Sequence, residues 1–185
     1  MTTGVPDDEE GLPPWAIVVP LRRAHIERVA ALMRHWTVAL RLSPAETRRW
    51  LKAAWLHDAL RDAPEGEMRR WAPAVEGPVE LRHGPAAAAR AELEGERDAD
   101  ILSAVRWHSV GWSGWGAIGR ALYCADYLEP GRAFDQPGRA ALALAFPDDP
   151  TAALRTVVTQ RLAYAERMGW TLPPESIAFR TAVTE

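Results

Sequence analysis

The chain has 185 residues, a length suited to one domain that can bury a core without covalent staples. Its 48% hydrophobic and 25% charged content is ordinary for a folded protein, and a net charge of -3 gives no global electrostatic reason to bind nucleic acid. A lone cysteine, Cys124, excludes an intramolecular disulfide framework and fits a reducing, cytoplasmic setting, and no apolar run approaches the ~18 residues of a membrane helix.

Residues 1 to about 20 combine Gly4, Pro6, Gly11, Pro13, Pro14 and Pro20 with the acidic run Asp7 to Glu10, so a flexible leader without chemistry is expected there. That acidic run stands where a secretory signal carries positive charge. From Leu21 to about Leu42, Val29, Leu32, Met33, Trp36 and Leu40 follow a helical period. His25, four residues before Val29, shares that inward stripe, whereas His35 lies about 80° around the axis from it.

Ser43-Pro44-Ala45-Glu46 has capping-box spacing with proline at the first helical position, predicting a second helix with Trp50, Ala54 and His57 on one face. A short helix is expected from Pro64-Glu65 to near Pro73, and Gly77-Pro78 reads as loop. Gly84-Pro85 then opens an alanine-rich helix ending at Gly95, which places His83 at its N-terminus. Residues 98 to 109 bring Ile101, Val105 and His108 to helical spacing, and a helix over Ala117 to Glu129 aligns Ile118, Leu122, Asp126 and Glu129.

Two more helices are expected, Ala140 to Phe146 and Thr151 to Met168, and the stretch from Gly169 onward reads as partly extended or frayed. The expected fold is all-α, a single helical bundle over residues 21 to 185.

The chemistry lies in His25, the doublet His57-Asp58, His83, His108 and Asp126. Each histidine alone is better read as an independent core or surface residue. Jointly, ionisable groups on apolar stripes need a partner to offset desolvation, and a shared metal satisfies them. Imidazole with carboxylate suits iron, manganese or similar divalent ions, and the set suffices for two, with Asp58 as candidate bridge. Such ions turn water into a nucleophile near neutral pH, which makes a hydrolase the leading reading.

These positions and their contexts, Leu56-His57-Asp58, Leu81 to Ala86, His108 to Gly111 and Tyr123 to Arg132, resemble the HD-domain phosphohydrolase superfamily. Over roughly residues 21 to 165 they look like its YqeK-type symmetrical bis(5'-nucleosyl)-tetraphosphatases. The resemblance implies a single HD-domain bundle with a di-iron centre, manganese or cobalt being alternative ions. It places His25, His57, Asp58 and Asp126 on one ion and Asp58, His83 and His108 on the other.

It further implies hydrolysis of diadenosine tetraphosphate to two ADP by a metal-bound water, with Asp58 orienting the nucleophile and Arg61 and Arg132 neutralising phosphoryl charge. A surface salt bridge is the competing role for Arg61. The chain departs from the family in carrying Arg61 where lysine is usual, a planar fork in place of a point charge. Ser109 and Val110 likewise replace threonines. Trp107, Trp112 and Trp115 border the fourth histidine, where one of them could stack on adenine, although core packing is the better reading of each.

The expected partner is thus a nucleotide, with no nucleic acid and no membrane, and the sequence does not specify an oligomeric state. Three rivals remain: a guanosine tetraphosphate hydrolase, a nucleoside monophosphatase, and a nucleotide-binding module without turnover. The first is disfavoured by Arg61 at its motif glutamate position.

Overall fold

A computed structural model describes residues 11–185; residues 1–10, which hold the acidic half of the expected leader, lie outside the described residues. The described residues form nine α-helices and no strand: α1 Pro20–Ala39, α2 Pro44–Leu56, α3 Glu65–Trp71, α4 His83–Leu93, α5 Ala99–Trp107, α6 Ala117–Leu128, α7 Gln136–Ala145, α8 Pro150–Arg167 and α9 Pro174–Thr184. A single 3-10 turn, Val79–Leu81, leads into α4. No described helix is long and apolar enough to cross a membrane.

Local chemistry accounts for the helix starts. The Ser43 side chain accepts the Glu46 backbone N–H at 3.1 Å with Pro44 opening α2, Asp98 caps α5 through the N–H groups of Asp100 and Ile101, and Asp149 caps α8 ahead of Pro150. Pro20, grouped with the leader by composition, is instead the first residue of α1, where its missing N–H has no partner to lose. Residues 11–19 run alongside the bundle: Ile17 N–H donates to Ala59 C=O at 2.8 Å and Val19 N–H to Asp62 Oδ2 at 2.9 Å.

Helix α6 is the hub, packed against α1, α2, α5, α7 and α8, and its Ile118, Ala121, Leu122, Tyr123, Cys124, Ala125 and Leu128 are all buried. Helix α4 packs on α5 so closely that a Cβ at Gly84 would come within 2.9 Å of the Val105 and Arg106 carbonyls. The alanines 86 to 88, each fully buried, maintain that approach. At the α1–α7 contact Trp36 stacks on Phe146 at 3.8 Å and donates its indole N–H to Ala143 C=O.

The segment expected to be extended or frayed after Gly169 is corrected by α9. Pro173-Pro174 is not a breaker there, because proline is tolerated in the first turn, and Ser176, Phe179 and Val183 form a buried stripe. Phe179 lies edge-on to Trp115 and Tyr123 at 5.2 and 5.3 Å, and Ser176 Oγ donates to Val110 C=O at 2.7 Å. Gly111 has φ of 89° and leaves no room for a Cβ beside the Phe179 ring, so this glycine is required both by its backbone and by the docking of α9.

Candidate metal centre

All six expected ligands are buried and converge between α1, α2, α4, α5 and α6. Three of the four histidines stand at helix ends. His57 ends α2, His108 ends α5 and His83 begins α4, and each Nδ1–H donates to the carbonyl three residues earlier: His57 to Ala54 at 2.7 Å, His83 to Glu80 at 2.6 Å, His108 to Val105 at 2.8 Å. Carbonyls near helix ends lack an intrahelical donor, so an imidazole there satisfies one and is oriented by it. Since a carbonyl can only accept, the proton sits on Nδ1 and Nε2 keeps its lone pair facing the centre.

His25 comes from the middle of α1, where no such carbonyl is free, and its Nδ1 uses Glu129 Oε1 at 3.1 Å. The Nε2 atoms pair off: His25 and His57 are 3.4 Å apart, His83 and His108 3.0 Å. Asp58 stands between the pairs, with Oδ1 at 3.0 and 3.3 Å from His83 and His108 and Oδ2 at 3.7 Å from both His25 and His57. Asp126 Oδ1 completes the first group at 3.2 Å from His25 Nε2. The donor atoms thus form two buried triads, His25/His57/Asp126 and Asp58/His83/His108, either of which could hold a metal ion.

Electrostatics favours a cation in both. The His83 and His108 Nε2 lone pairs, pointing at one another across 3.0 Å, repel unless positive charge lies between them, and the buried carboxylates of both groups need it as well. Burial opposes charge on His57 and lowers its pKa to about 4, and burial likewise lowers His83. Burial also opposes charge on His25, but hydrogen bonds to Asp126 and Glu129 outweigh it and raise its pKa to about 8. Burial by itself would raise Asp58 and Asp126; the imidazoles around Asp58, and His25 with Arg132 and Arg161 around Asp126, hold both well below the usual carboxylate range. Imidazoles kept neutral at His57 and His83, a His25 whose extra proton a metal would displace, and two ionised aspartates form a donor set that fits divalent transition metals.

Of the two arginines expected at the site, Arg132 contacts it directly, donating to Asp126 Oδ1 at 2.5 Å and to the Asp126 carbonyl at 2.9 and 3.1 Å. Arg61 stays at its rim, 3.3 Å from the Glu80 carbonyl that also holds His83. Sequence reasoning did not assign four further residues. Arg22 donates to Asp58 Oδ2 at 2.8 Å, and Arg161 of α8 reaches Asp126 Oδ2 at 3.2 Å. Ser109 Oγ lies 3.2 and 3.4 Å from the Nε2 atoms of His108 and His83. Glu129 orients His25.

The signal for Glu129 was visible, three residues beyond Asp126 on one helix face, but nothing along the chain marks Arg22 or Arg161 apart from other surface arginines. His35 is exposed and belongs to neither triad. Trp115 is buried, and Trp107 and Trp112 stack on each other at 5.3 Å.

A helical bundle with a histidine-aspartate doublet at its centre defines a class. The chain belongs to the HD domain family, whose sequence profile matches residues 22–136. Among curated proteins it is 35% identical over 98 residues to the symmetrical bis(5'-nucleosyl)-tetraphosphatase of Bacillus subtilis (strain 168), covering 49% of this chain and 53% of that protein. It is 27% identical over 100 residues to the protein of the same name from Halalkalibacterium halodurans, covering 54% and 52%. These matches span about half the length of the relatives. A solved structure of a predicted HD superfamily hydrolase from Clostridium acetobutylicum superposes with a TM-score of 0.77 over 90% of both chains at 23% identity, a likeness of fold.

Proposed function

We propose that the protein is a metal-dependent phosphohydrolase that splits a dinucleoside polyphosphate, diadenosine tetraphosphate in particular, into two molecules of ADP. The observation that carries this reading is the pair of adjacent buried triads with Asp58, a member of one, turning its second oxygen toward the other, flanked by arginines on the carboxylate side. The names of the curated relatives point to the same substrate. His25, His57, Asp58 and Asp126 would hold one ion and Asp58, His83 and His108 the other, with iron the expected metal and manganese or cobalt able to replace it. Divalent ions there supply Lewis-acid activation of water and positive charge for phosphoryl oxygens.

The chain's own groups perform the remaining work. Asp58, with one oxygen toward each triad, orients the attacking water. Arg132 and Arg161 sit on Asp126 from different elements, so a polyphosphate entering along that edge meets two guanidiniums that can fork onto its oxygens. Arg22 takes the same role beside Asp58, and Arg61 does so from the His83 side. Water adds across the central P–O–P bridge, one ADP leaving as the other gains the hydroxyl.

The guanosine tetraphosphate hydrolase motif has an adjacent Glu-Asp where this chain has Arg61-Asp62, and the remaining aspartate accepts Val19 N–H at the entrance to α1, which weighs against that rival. Product analysis tests the proposal. Metal-reconstituted protein given diadenosine tetraphosphate should yield ADP alone; AMP with ATP, orthophosphate, or no cleavage of this substrate would reject it.

A further inference from the structure

The triads and their arginines account for phosphates, and nothing among them recognises a base. An exposed aromatic row begins one residue beyond Asp126. The Tyr127 ring meets Phe134 at 6.3 Å, Phe134 lies nearly parallel to Tyr164 at 6.4 Å and 16°, and Tyr164 meets Trp170 edge-on at 5.7 Å. Phe134, Tyr164 and Trp170 are 54%, 42% and 58% exposed. Contiguous exposure of three such rings is uncommon in a folded protein and marks a surface that something covers.

The row is tied to the phosphate edge from two directions. Phe134 follows Arg132 by two residues, and Tyr164 lies three residues after Arg161 on α8, so their Cβ atoms are about 5–6 Å apart on one helix face. Both arginines contact Asp126. A planar group on the rings is therefore within a nucleoside diphosphate's length of the guanidiniums.

The platform is also held in place and positively charged. The Arg139 guanidinium lies 4.0 Å from the centroids of both Tyr127 and Phe134 and donates to the Tyr127 carbonyl. Arg139 is buried, its Nε has no hydrogen-bond partner, and it forms no direct ion pair among the described residues, the Asp135 carboxylate acting on it only from a distance. Asp135, next to Phe134, adopts a left-handed φ of 47° and caps α7 through Gly138 N–H, which sets the direction in which the backbone passes from Phe134 into the helix. Exposed rings beside a guanidinium held in no direct ion pair suit a flat base carrying anionic phosphates better than an uncharged apolar partner.

We propose that Phe134, Tyr164 and Trp170 form the stacking platform for one nucleobase of the nucleotide whose phosphates reach Arg132 and Arg161. This rests on the phosphohydrolase reading above and adds the base subsite to it. Aromatic stacking accepts any base, so the platform favours nucleotides over inorganic polyphosphate without choosing adenine.

Calorimetry on the full chain loaded with manganese tests it, with ADP and inorganic pyrophosphate as probes and Phe134→Ala, Tyr164→Ala and the conservative Tyr164→Phe as variants. The alanine variants should bind ADP about 10-fold more weakly, pyrophosphate should bind them as it binds the parent, and Tyr164→Phe should restore ADP binding. The KM for diadenosine tetraphosphate should rise in parallel. Unchanged ADP affinity in both alanine variants overturns the proposal, as does equal loss for ADP and pyrophosphate. A shift from dimer to monomer on sedimentation with ADP affinity intact shows that the row covers a second copy, and also overturns it. If the parent binds ADP through these rings yet leaves diadenosine tetraphosphate uncut, the reaction is refuted and the platform stands.

Discussion

His25 Nδ1 and Glu129 Oε1, on the first and sixth helices and 104 residues apart, meet at 3.1 Å and fix the direction in which His25 Nε2 points. Glu129 is itself held by Arg28 and by Gly131 N–H at 2.6 Å. Burial would raise its pKa, but the hydrogen bonds from His25, Arg28 and Gly131 overcome that and bring it to about 2. Glu129→Gln keeps an acceptor oxygen and loses the charge that would make His25 a stronger donor to a bound metal. Metal affinity should fall about 10-fold in competition with a chromophoric chelator. Equal affinity in parent and variant would remove Glu129 from the site.

His57→Ala and Asp58→Ala each empty a position no neighbour can fill, whereas His35 is exposed. Metal content and nucleotide hydrolysis should both vanish in the first two variants and persist in His35→Ala. The readouts are elemental analysis of protein purified without chelator and ADP release. Loss of comparable size in all three would mean that the histidines are interchangeable and the ligand assignment is wrong.

The core makes a separate prediction at Trp36, which is fully buried against Phe146. Trp36→Ala removes a large side chain and leaves the Ala143 carbonyl without its indole donor. The expected cost is about 3–5 kcal/mol in urea denaturation, an amount comparable to a large share of a domain's stability.

Acid sensitivity should trace in part to Asp98, far from the triads. Its carboxylate takes Arg49 Nε at 2.6 Å and caps α5, and the Arg49 hydrogen bond holds its pKa below the ordinary 3.8. A depressed carboxyl pKa contributes stability that is present above the unfolded value and lost as pH falls through the folded one. Asp98→Asn retains a capping oxygen and loses the ion pair, so it should cost about 1 kcal/mol at pH 7, discounted for partial exposure. The difference from the parent should shrink below pH 3.8 in paired denaturation curves. A gap that persists at pH 3 would place the effect in the cap instead.

Much of the architecture was legible because its signals are local. Ser43-Pro44-Ala45-Glu46 carries its own cap, Gly84-Pro85 its own helix start, and the stripe of α1 its own period. Helix α9 was missed because its start, Pro173-Pro174, reads equally as a break or as a first turn. What decides between them is the pocket for Phe179 built by Gly111, Trp115 and Tyr123.

The sequence by itself determined the helices other than α9, the histidines and aspartates available to a metal, and the resemblance that groups them, since residue type and spacing are properties of the chain. Only the tertiary structure decided that Asp58 faces both triads, that Glu129 serves His25, and that Arg22 and Arg161 close on the carboxylates. Those are contacts between residues 36, 104 and 35 positions apart, at Arg22–Asp58, His25–Glu129 and Arg161–Asp126. Helix periodicity says which face turns inward, and the packing of one helix against another selects the partner it meets there.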